Sequence, residues 1–189
     1  MAIDVQFRKE DWARVEAAWS AWWAGELERP LVMIEEVEPP AGIDISNILD
    51  LGPPASTFPL DAPADEVLDF YQVRLEAKRW YGDAWPKWWT NFGPGIAAGF
   101  LGVRVAVTDS TTWFEPVEDV PITGLELDFD PENAWWRRVR ELTRRTVERW
   151  GSSVAVGHTD LGGNLDILAS LLTTERLLFD LSDHPQEVA

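Results

Sequence analysis

The amino-acid sequence predicts an α/β fold in which helices alternate with mainly parallel strands, and two observations carry this prediction. Amphipathic helical patterns alternate with short apolar runs, in the order helix, strand, helix, strand, hairpin, helix, strand, helix. Such alternation indicates about three βα units with right-handed crossovers. A hydrophobic content of 46% in 189 residues is sufficient for the core of a single domain spanning 1–189.

The first predicted helix covers residues 11–27 and is rich in tryptophan. Its apolar residues recur at spacings of three and four, which places them on one broad face: Trp12, Val15, Trp19, Trp22 and Trp23. We assign 1–29 to this N-terminal segment and 30–189 to the βα units. The chain holds twelve tryptophans. Core or interface packing is one interpretation, because aromatic side chains dominate buried area, and a stacking surface for a flat or sugar-like ligand is the other.

The next elements follow from local pattern. Residues 31–34 are apolar throughout, which suits a parallel strand covered on both faces. Residues 39–63 are rich in Pro, Gly, Ser and Asp and are too long for an ordinary connector, so we expect a functional excursion. A second helix is predicted over 64–81, ending at Gly82.

The middle of the chain predicts a strand, a glycine loop and a hairpin. A strand over 85–90 leads into the loop 91–95, in which two glycines flank a proline. Glycine there permits a positive φ or close approach of the backbone to a ligand, although a plain turn is the alternative. The runs 103–107 and 111–115 predict the two strands of an inserted hairpin.

A third helix is predicted from Asp130-Pro131 to Gly151 by its N-cap and proline signals. One side of it carries arginines, which either bind phosphate or pair with carboxylates, and the acidity of the chain favours pairing. These arginines are Arg137, Arg138, Arg140, Arg144, Arg145 and Arg149.

The C-terminal stretch begins as a strand over 153–157 and places polar residues directly after it. Side chains at the carboxyl ends of parallel strands face the ligand site in α/β proteins. A helix start at 183–186 is followed by the last residue about one turn later, and three parallel strands cannot close a barrel. We therefore expect an interrupted fold.

Four passages resemble the uroporphyrinogen decarboxylase superfamily, which includes corrinoid-linked methyltransferases. They are NFGPG (91–95), TWFEP (112–116), TDLGGNLDILA (159–169) and LLFDLSDHPQEV (177–188). The resemblance implies the N-terminal half of a distorted (β/α)8 TIM-type barrel with a cleft at the strand carboxyl ends.

The resemblance does not extend to the substrate site of the true decarboxylases. That family binds substrate carboxylates with arginines after the first strand, where residues 33–40 carry three acids and no arginine. Such a loop repels a polycarboxylate. The family's pyrrole-binding aspartate follows the second strand, and this sequence has Thr90-Asn91 near that point. The methyltransferases' zinc site belongs to the second half of the barrel, so no cofactor is expected in this chain, and a zinc or corrinoid link stays open for a full barrel.

These arguments select the candidate site residues. The catalytic candidates are Asn91, which the resemblance implies, and His158 with Asp160, which share a face and form a potential acid–base or metal-binding pair. A helix-capping Asp160 and a structural His158 are the alternative. The expected substrate-binding residues are Phe92, Gly93, Trp113, Glu115 and Thr159.

Composition excludes several classes of protein. A formal charge of −17 argues against nucleic-acid or membrane partners, and no cysteine is present as thiol nucleophile or metal ligand. The N-terminal residues lack the apolar run of a signal peptide, which predicts a cytoplasmic protein. Two functions remain: a decarboxylase-like lyase or methyltransferase acting on a small organic, tetrapyrrole or one-carbon substrate, or a non-catalytic half-barrel that self-associates or pairs with a partner chain over its open edge.

Overall fold

The computed structural model describes residues 3–38, 53–109, 111–117 and 120–189 and has a mixed α/β fold. The chain divides into two compact units. The first unit comprises the described parts of Met1–Gly52, Pro63–Trp89 and Thr143–Gly157. The second unit comprises Pro53–Ala62 and the described parts of Thr90–Leu142 and His158–Ala189. In the part of the chain that the structure describes, no helix combines the length and apolar character needed to cross a bilayer.

The first unit begins with helix α1, Lys9–Trp23. Its tryptophan face packs only in part, because Trp19 meets Trp85 edge-to-face at 4.7 Å whereas Trp23 is 76% exposed. The Trp19 indole N–H donates to the carbonyl oxygen of Asp83 over 2.9 Å. The helix stops at Gly25, whose φ of +74° an L-residue rarely adopts. The predicted helix is therefore present but ends four residues earlier than expected.

Strands β1, Met33–Val37, and β2, Lys78–Gly82, form an antiparallel pair with Glu35 opposite Trp80. Two predictions are wrong here. The first strand is neither parallel nor covered, since Met33 and Ile34 are about half exposed. The second helix, α2, is Ala64–Glu76 and not 64–81. Lys78 and Trp80 are buried while Tyr81 is exposed, which follows the two-residue period of a strand, and pairing with β1 fixes this conformation.

The core of the first unit lies beside a parallel pair formed by β3, Lys87–Trp89, and β6, Ala155–Gly157. Trp88 on β3 contacts Tyr71 of α2 at 5.4 Å between ring centroids, and Trp150 at 5.6 Å. Trp150 is the last residue of helix α4, Ala134–Trp150, and is fully buried. These aromatic contacts support the packing interpretation for the tryptophans involved.

The arginine face of α4 pairs with carboxylates, as predicted. Arg145 donates to both oxygens of Asp65 on α2, at 2.9 and 3.0 Å, and Arg149 donates to Gln72 at 2.6 Å and also pairs with Asp69. Ion pairs to Glu132, Glu141 and Glu148 hold three further arginines of the face: Arg137, Arg138 and Arg144.

The second unit contains the predicted hairpin, with strands β4, Arg104–Val107, and β5, Thr112–Glu115, in antiparallel register. Its other described elements are short 3-10 helices and α-helices of four to ten residues. These are Ala55–Thr57 and Ile122–Gly124 (3-10), α3 Ile96–Phe100, α5 Asn164–Leu172, α6 Thr174–Asp183 and the single turn α7 Pro185–Val188. The start of α4 lies in this unit, where Asn133 accepts from the backbone N–H of Trp135 over 2.9 Å.

Two sequence expectations concern regions larger than single elements. Residues 39–52 of the predicted excursion lie outside the described residues, and its remainder holds the 3-10 helix Ala55–Thr57. The described residues contain one parallel strand pair, β3 with β6, and no closed barrel. The mixed α/β class is confirmed. About three parallel βα units of a half-barrel were expected, and the described residues show one parallel pair.

Candidate functional site

Three of the passages that carry the family resemblance meet in the second unit. Gly162 has a φ of +67°, and a Cβ placed on it would lie 2.5 Å from the carbonyl oxygen of Pro94. The loop of residues 91–95, which follows β3 in sequence, therefore packs directly against the loop of residues 158–163, which follows β6. We call these the first and second site loops.

Strand β5 also packs against the first site loop. A Cβ placed on Gly93, whose φ is +86°, would lie 3.1 Å from Cβ of Thr112, and a Cβ on Gly95 would overlap the ring of Phe114. Both glycines are buried. The glycines of this loop thus permit close packing on the hairpin. For Gly93 this favours a structural turn over close approach of the backbone to a ligand.

Asn91 is held by two hydrogen bonds, one to its side chain and one to its backbone carbonyl group. Its side-chain oxygen accepts from the backbone N–H of Gly93 at 3.0 Å, and its carbonyl oxygen accepts from the backbone N–H of Ala55 at 2.7 Å. Because the side-chain oxygen is engaged, the amide NH2 group is the end left to donate, and it has no partner among the described residues.

Phe92 is 1% exposed and meets Trp135 edge-to-face at 6.1 Å, so it belongs to the core of the second unit. Its position beside Asn91 therefore anchors the first site loop rather than offering a surface to a ligand. The neighbouring hydroxyls of Ser56 and Thr112 lie 2.7 Å apart and satisfy each other.

Thr159 carries the most unusual polar group of the second site loop. The residue is 5% exposed, and its hydroxyl oxygen has no hydrogen-bond partner among the described residues. Burying a hydroxyl without a partner is unfavourable by about 1–3 kcal/mol, so such groups in folded proteins usually meet a water, ion or ligand.

His158 is exposed and its ring is oriented by the backbone. Nδ1 lies 2.6 Å from the carbonyl oxygen of Thr159, and because a carbonyl oxygen only accepts, Nδ1 carries the proton. Nε2 is then the nitrogen available for proton exchange.

Asp160 accepts from the backbone N–H of Gly162 over 2.8 Å, which is the interaction of a turn-forming aspartate. Within the described residues, Asp160 and His158 make no hydrogen bond to each other, so the predicted pair is adjacent in the loop without direct contact.

Trp113 and Glu115 occupy the other face of β5. Thr112 and Phe114 contact the first site loop. Because side chains alternate along a strand, Trp113 and Glu115 point away from that loop. Trp113 is 62% exposed, and Glu115 pairs with Arg104 across the hairpin. The predicted site residues within the two site loops are therefore Asn91, Phe92, Gly93, His158, Thr159 and Asp160, of which Phe92 belongs to the core.

Sequence reasoning missed the buried hydroxyl pair of Ser56 and Thr112, since a serine in a proline-rich segment gives no pattern that places it in a core. It also missed the strained elbow at Thr173, where a β-branched residue has a φ of +89° between α5 and α6. Among the described residues, no group of three or more His, Asp or Glu side chains is arranged to hold a metal ion.

Comparison with protein-family models, with curated proteins and with solved structures finds no match to this chain. The resemblance to the uroporphyrinogen decarboxylase superfamily therefore rests on the four passages alone.

Proposed function

We propose that this chain binds a small organic, tetrapyrrole or one-carbon substrate at its two site loops, as a decarboxylase-like protein of the uroporphyrinogen decarboxylase superfamily. The observation that carries the proposal is the buried, unpartnered hydroxyl of Thr159 in a loop that packs directly on the loop of Asn91. Both loops belong to passages that resemble this superfamily. A bound ligand would supply the partner that the hydroxyl lacks.

The polar groups of the loops favour a ligand with oxygen acceptors. The amide NH2 of Asn91 donates, and a hydroxyl donates as well as accepts. A carboxylate or carbonyl oxygen matches such groups. We therefore favour a small organic acid as the ligand. The absence of arginine from residues 33–40 sets this chain apart from the true decarboxylases.

His158 is the proposed proton donor for a decarboxylation. Loss of CO2 breaks the carbon–carbon bond and leaves its electron pair on the substrate carbon. A proton from Nε2 of protonated His158 then completes the product, and water restores the proton to the ring. The bond from Nδ1 to the Thr159 carbonyl oxygen keeps the ring in the orientation that exposes Nε2.

The test is a calorimetric titration of the full chain with small mono- and dicarboxylic acids and a porphyrin carboxylate, combined with an assay for CO2 release. Thr159→Val and His158→Ala should each weaken binding at least tenfold without lowering the melting temperature by more than about 2 °C, the lower end of the shift that a 1 kcal/mol loss causes in a chain of this length. Thr123→Val, at an exposed position of the same unit, is the control. Unfolding of His158→Ala would instead make His158 structural, and no saturable binding would remove the proposal.

A second function, a non-catalytic half-barrel that self-associates or pairs with a partner chain, is favoured by a different observation. Parallel sheets are normally covered on both faces and have more than two strands, whereas β3 and β6 form a two-stranded parallel sheet in the described part of the chain. Sedimentation equilibrium of the purified chain separates this function from the first. Strong self-association without ligand binding supports it, and a well-folded monomer contradicts it. Either function fits the predicted cytoplasmic location.

A further inference from the structure

A groove of about 460 Å³ lies in the second unit, apart from the two site loops. Its walls are the segment that follows β5 and the elbow where α5 meets α6. Volumes of about 300–1,000 Å³ are typical of small-molecule sites.

The groove has apolar walls that stay accessible. Val117 is 69% exposed and Phe179 is 60% exposed, whereas Leu172 is buried at 5%. Large apolar side chains exposed around a concavity are typical of a surface that binds another molecule.

The groove carries an acidic side chain, Glu175, beside an arginine that is already paired. Arg176 lines it but is paired, with Nε at 3.3 and 3.4 Å from the two carboxylate oxygens of the buried Asp180. Glu175 also lines the groove and has no partner among the described residues. Among the described residues of the groove, Glu175 therefore carries a negative charge that no arginine or lysine offsets.

The elbow holds Glu175 in a fixed position. The backbone N–H of Thr173 donates to Ala169 at 2.9 Å, its carbonyl oxygen accepts from Leu177 at 3.1 Å, and its hydroxyl accepts from the N–H of Arg176 at 3.3 Å. The first of these bonds ends α5, and the other two define the first turn of α6, whose backbone carries Glu175. A preorganised site loses less entropy when it binds.

We propose that this groove binds a small organic ammonium ion with an apolar chain. The ammonium group pairs with the carboxylate of Glu175 and lies over the exposed ring of Phe179, and the chain packs on Val117 and Leu172. The net charge of −17 on the protein favours the approach of a cation. An anion held by the backbone N–H groups of the first turn of α6 is the competing occupant.

The experiment titrates the full chain with hexylammonium, hexan-1-ol and hexanoate, which share the same chain and differ in charge. Hexylammonium should bind at least tenfold more tightly than hexan-1-ol, and hexanoate more weakly than both. Glu175→Gln should weaken hexylammonium about tenfold and leave hexan-1-ol unchanged. Glu187→Gln, an exposed glutamate of α7, is the matched control and should change neither affinity.

Three outcomes overturn the proposal: hexanoate binding as tightly as hexylammonium, an equal effect of Glu175→Gln and Glu187→Gln, or no saturable binding of hexylammonium. His158→Ala should leave the affinity for hexylammonium unchanged, which separates this groove from the site loops. Because Glu175 is exposed, its variant should melt at the wild-type temperature.

Discussion

Arg29 binds Asp83 with both ends of its guanidinium group, at 2.6 Å from Nη1 to Oδ2 and 2.8 Å from Nη2 to Oδ1. Asp83 is 1% exposed and also accepts from the backbone N–H of Val32 at 2.8 Å. The carboxylate therefore fixes the chain between α1 and β1 to the turn after β2. These hydrogen bonds, those of Arg29 first, lower the pKa of Asp83 from 3.8 to about 2.

We predict that Asp83→Asn lowers the free energy of unfolding by about 2 kcal/mol at pH 7, because it removes the buried carboxylate of a charge-assisted bidentate pair whose arginine is half exposed. A lowered folded-state pKa means that the pair stabilises the fold above pH 3.8 and loses this effect as the pH falls toward 2. The difference between wild type and variant should therefore shrink between pH 4 and pH 2. Urea unfolding across this range measures it, with the exposed Asp61→Asn as control. A constant difference at all pH values would contradict the assignment.

We predict that Gly162→Ala destabilises the protein by about 2–4 kcal/mol. Part of this is the positive φ of +67°, at about 1 kcal/mol, and the rest is the overlap of the new Cβ with the Pro94 carbonyl oxygen. Gly25→Ala is a matched control, because its φ is +74° and nothing lies within 4 Å of the added Cβ. Chemical denaturation should show the smaller loss for Gly25→Ala. Equal losses would mean that the two site loops do not pack as described.

We predict that Thr173→Gly raises the free energy of unfolding by about 1 kcal/mol. A threonine at φ +89°, ψ +149° is strained by about 1–3 kcal/mol, whereas glycine as an N-cap loses only a few tenths and a larger unfolded-state entropy offsets part of the gain. Thr174→Gly, one residue later inside α6, should instead lower stability. Thermal and urea unfolding compare the two variants. A loss of stability in Thr173→Gly would show that the threonine is not strained.

We predict opposite effects on stability for two buried threonines of the second unit. Thr159→Val removes a hydroxyl without a partner and should leave stability unchanged or raise it by about 1 kcal/mol. Thr112→Val removes a hydroxyl bonded to Ser56 at 2.7 Å and leaves that serine unsatisfied, so it should lower stability by about 1–3 kcal/mol. Differential scanning calorimetry checks both. A large loss in Thr159→Val would mean that this hydroxyl has a protein partner.

Local patterns predicted most of the individual elements. The hairpin was predicted at 103–107 and 111–115 and forms at Arg104–Val107 and Thr112–Glu115, because its strands are close in sequence and their pairing needs only a short turn. The β1–β2 pair joins Met33 to Gly82, and no short-range pattern reports such a partner. Without that partner, Lys78 and Arg79 fit the end of a helix better than a strand.

In the candidate site, too, local features could be predicted from the sequence and long-range contacts could not. The glycines of 91–95 predicted a positive φ or close approach of the backbone to a ligand. Gly93 has the positive φ, whereas the close packing of Gly162 on Pro94 was not predicted. Which hydroxyls are satisfied depends on neighbours that are distant in sequence. Thr112 finds Ser56 and Thr159 finds no described partner, although both are threonines at the end of an extended segment.

Each compact unit is assembled from three separate stretches of chain, and this constrains how the protein is made on the ribosome. The first unit cannot close until Thr143–Gly157 has been synthesised, because β6 and Trp150 complete the surroundings of Trp88. Until then, the earlier stretches expose an unpaired strand edge and tryptophan rings, which favour aggregation and chaperone capture. For the same reason, neither unit can be expressed as one uninterrupted fragment. Isolating either one requires the joining of its three pieces by new linkers.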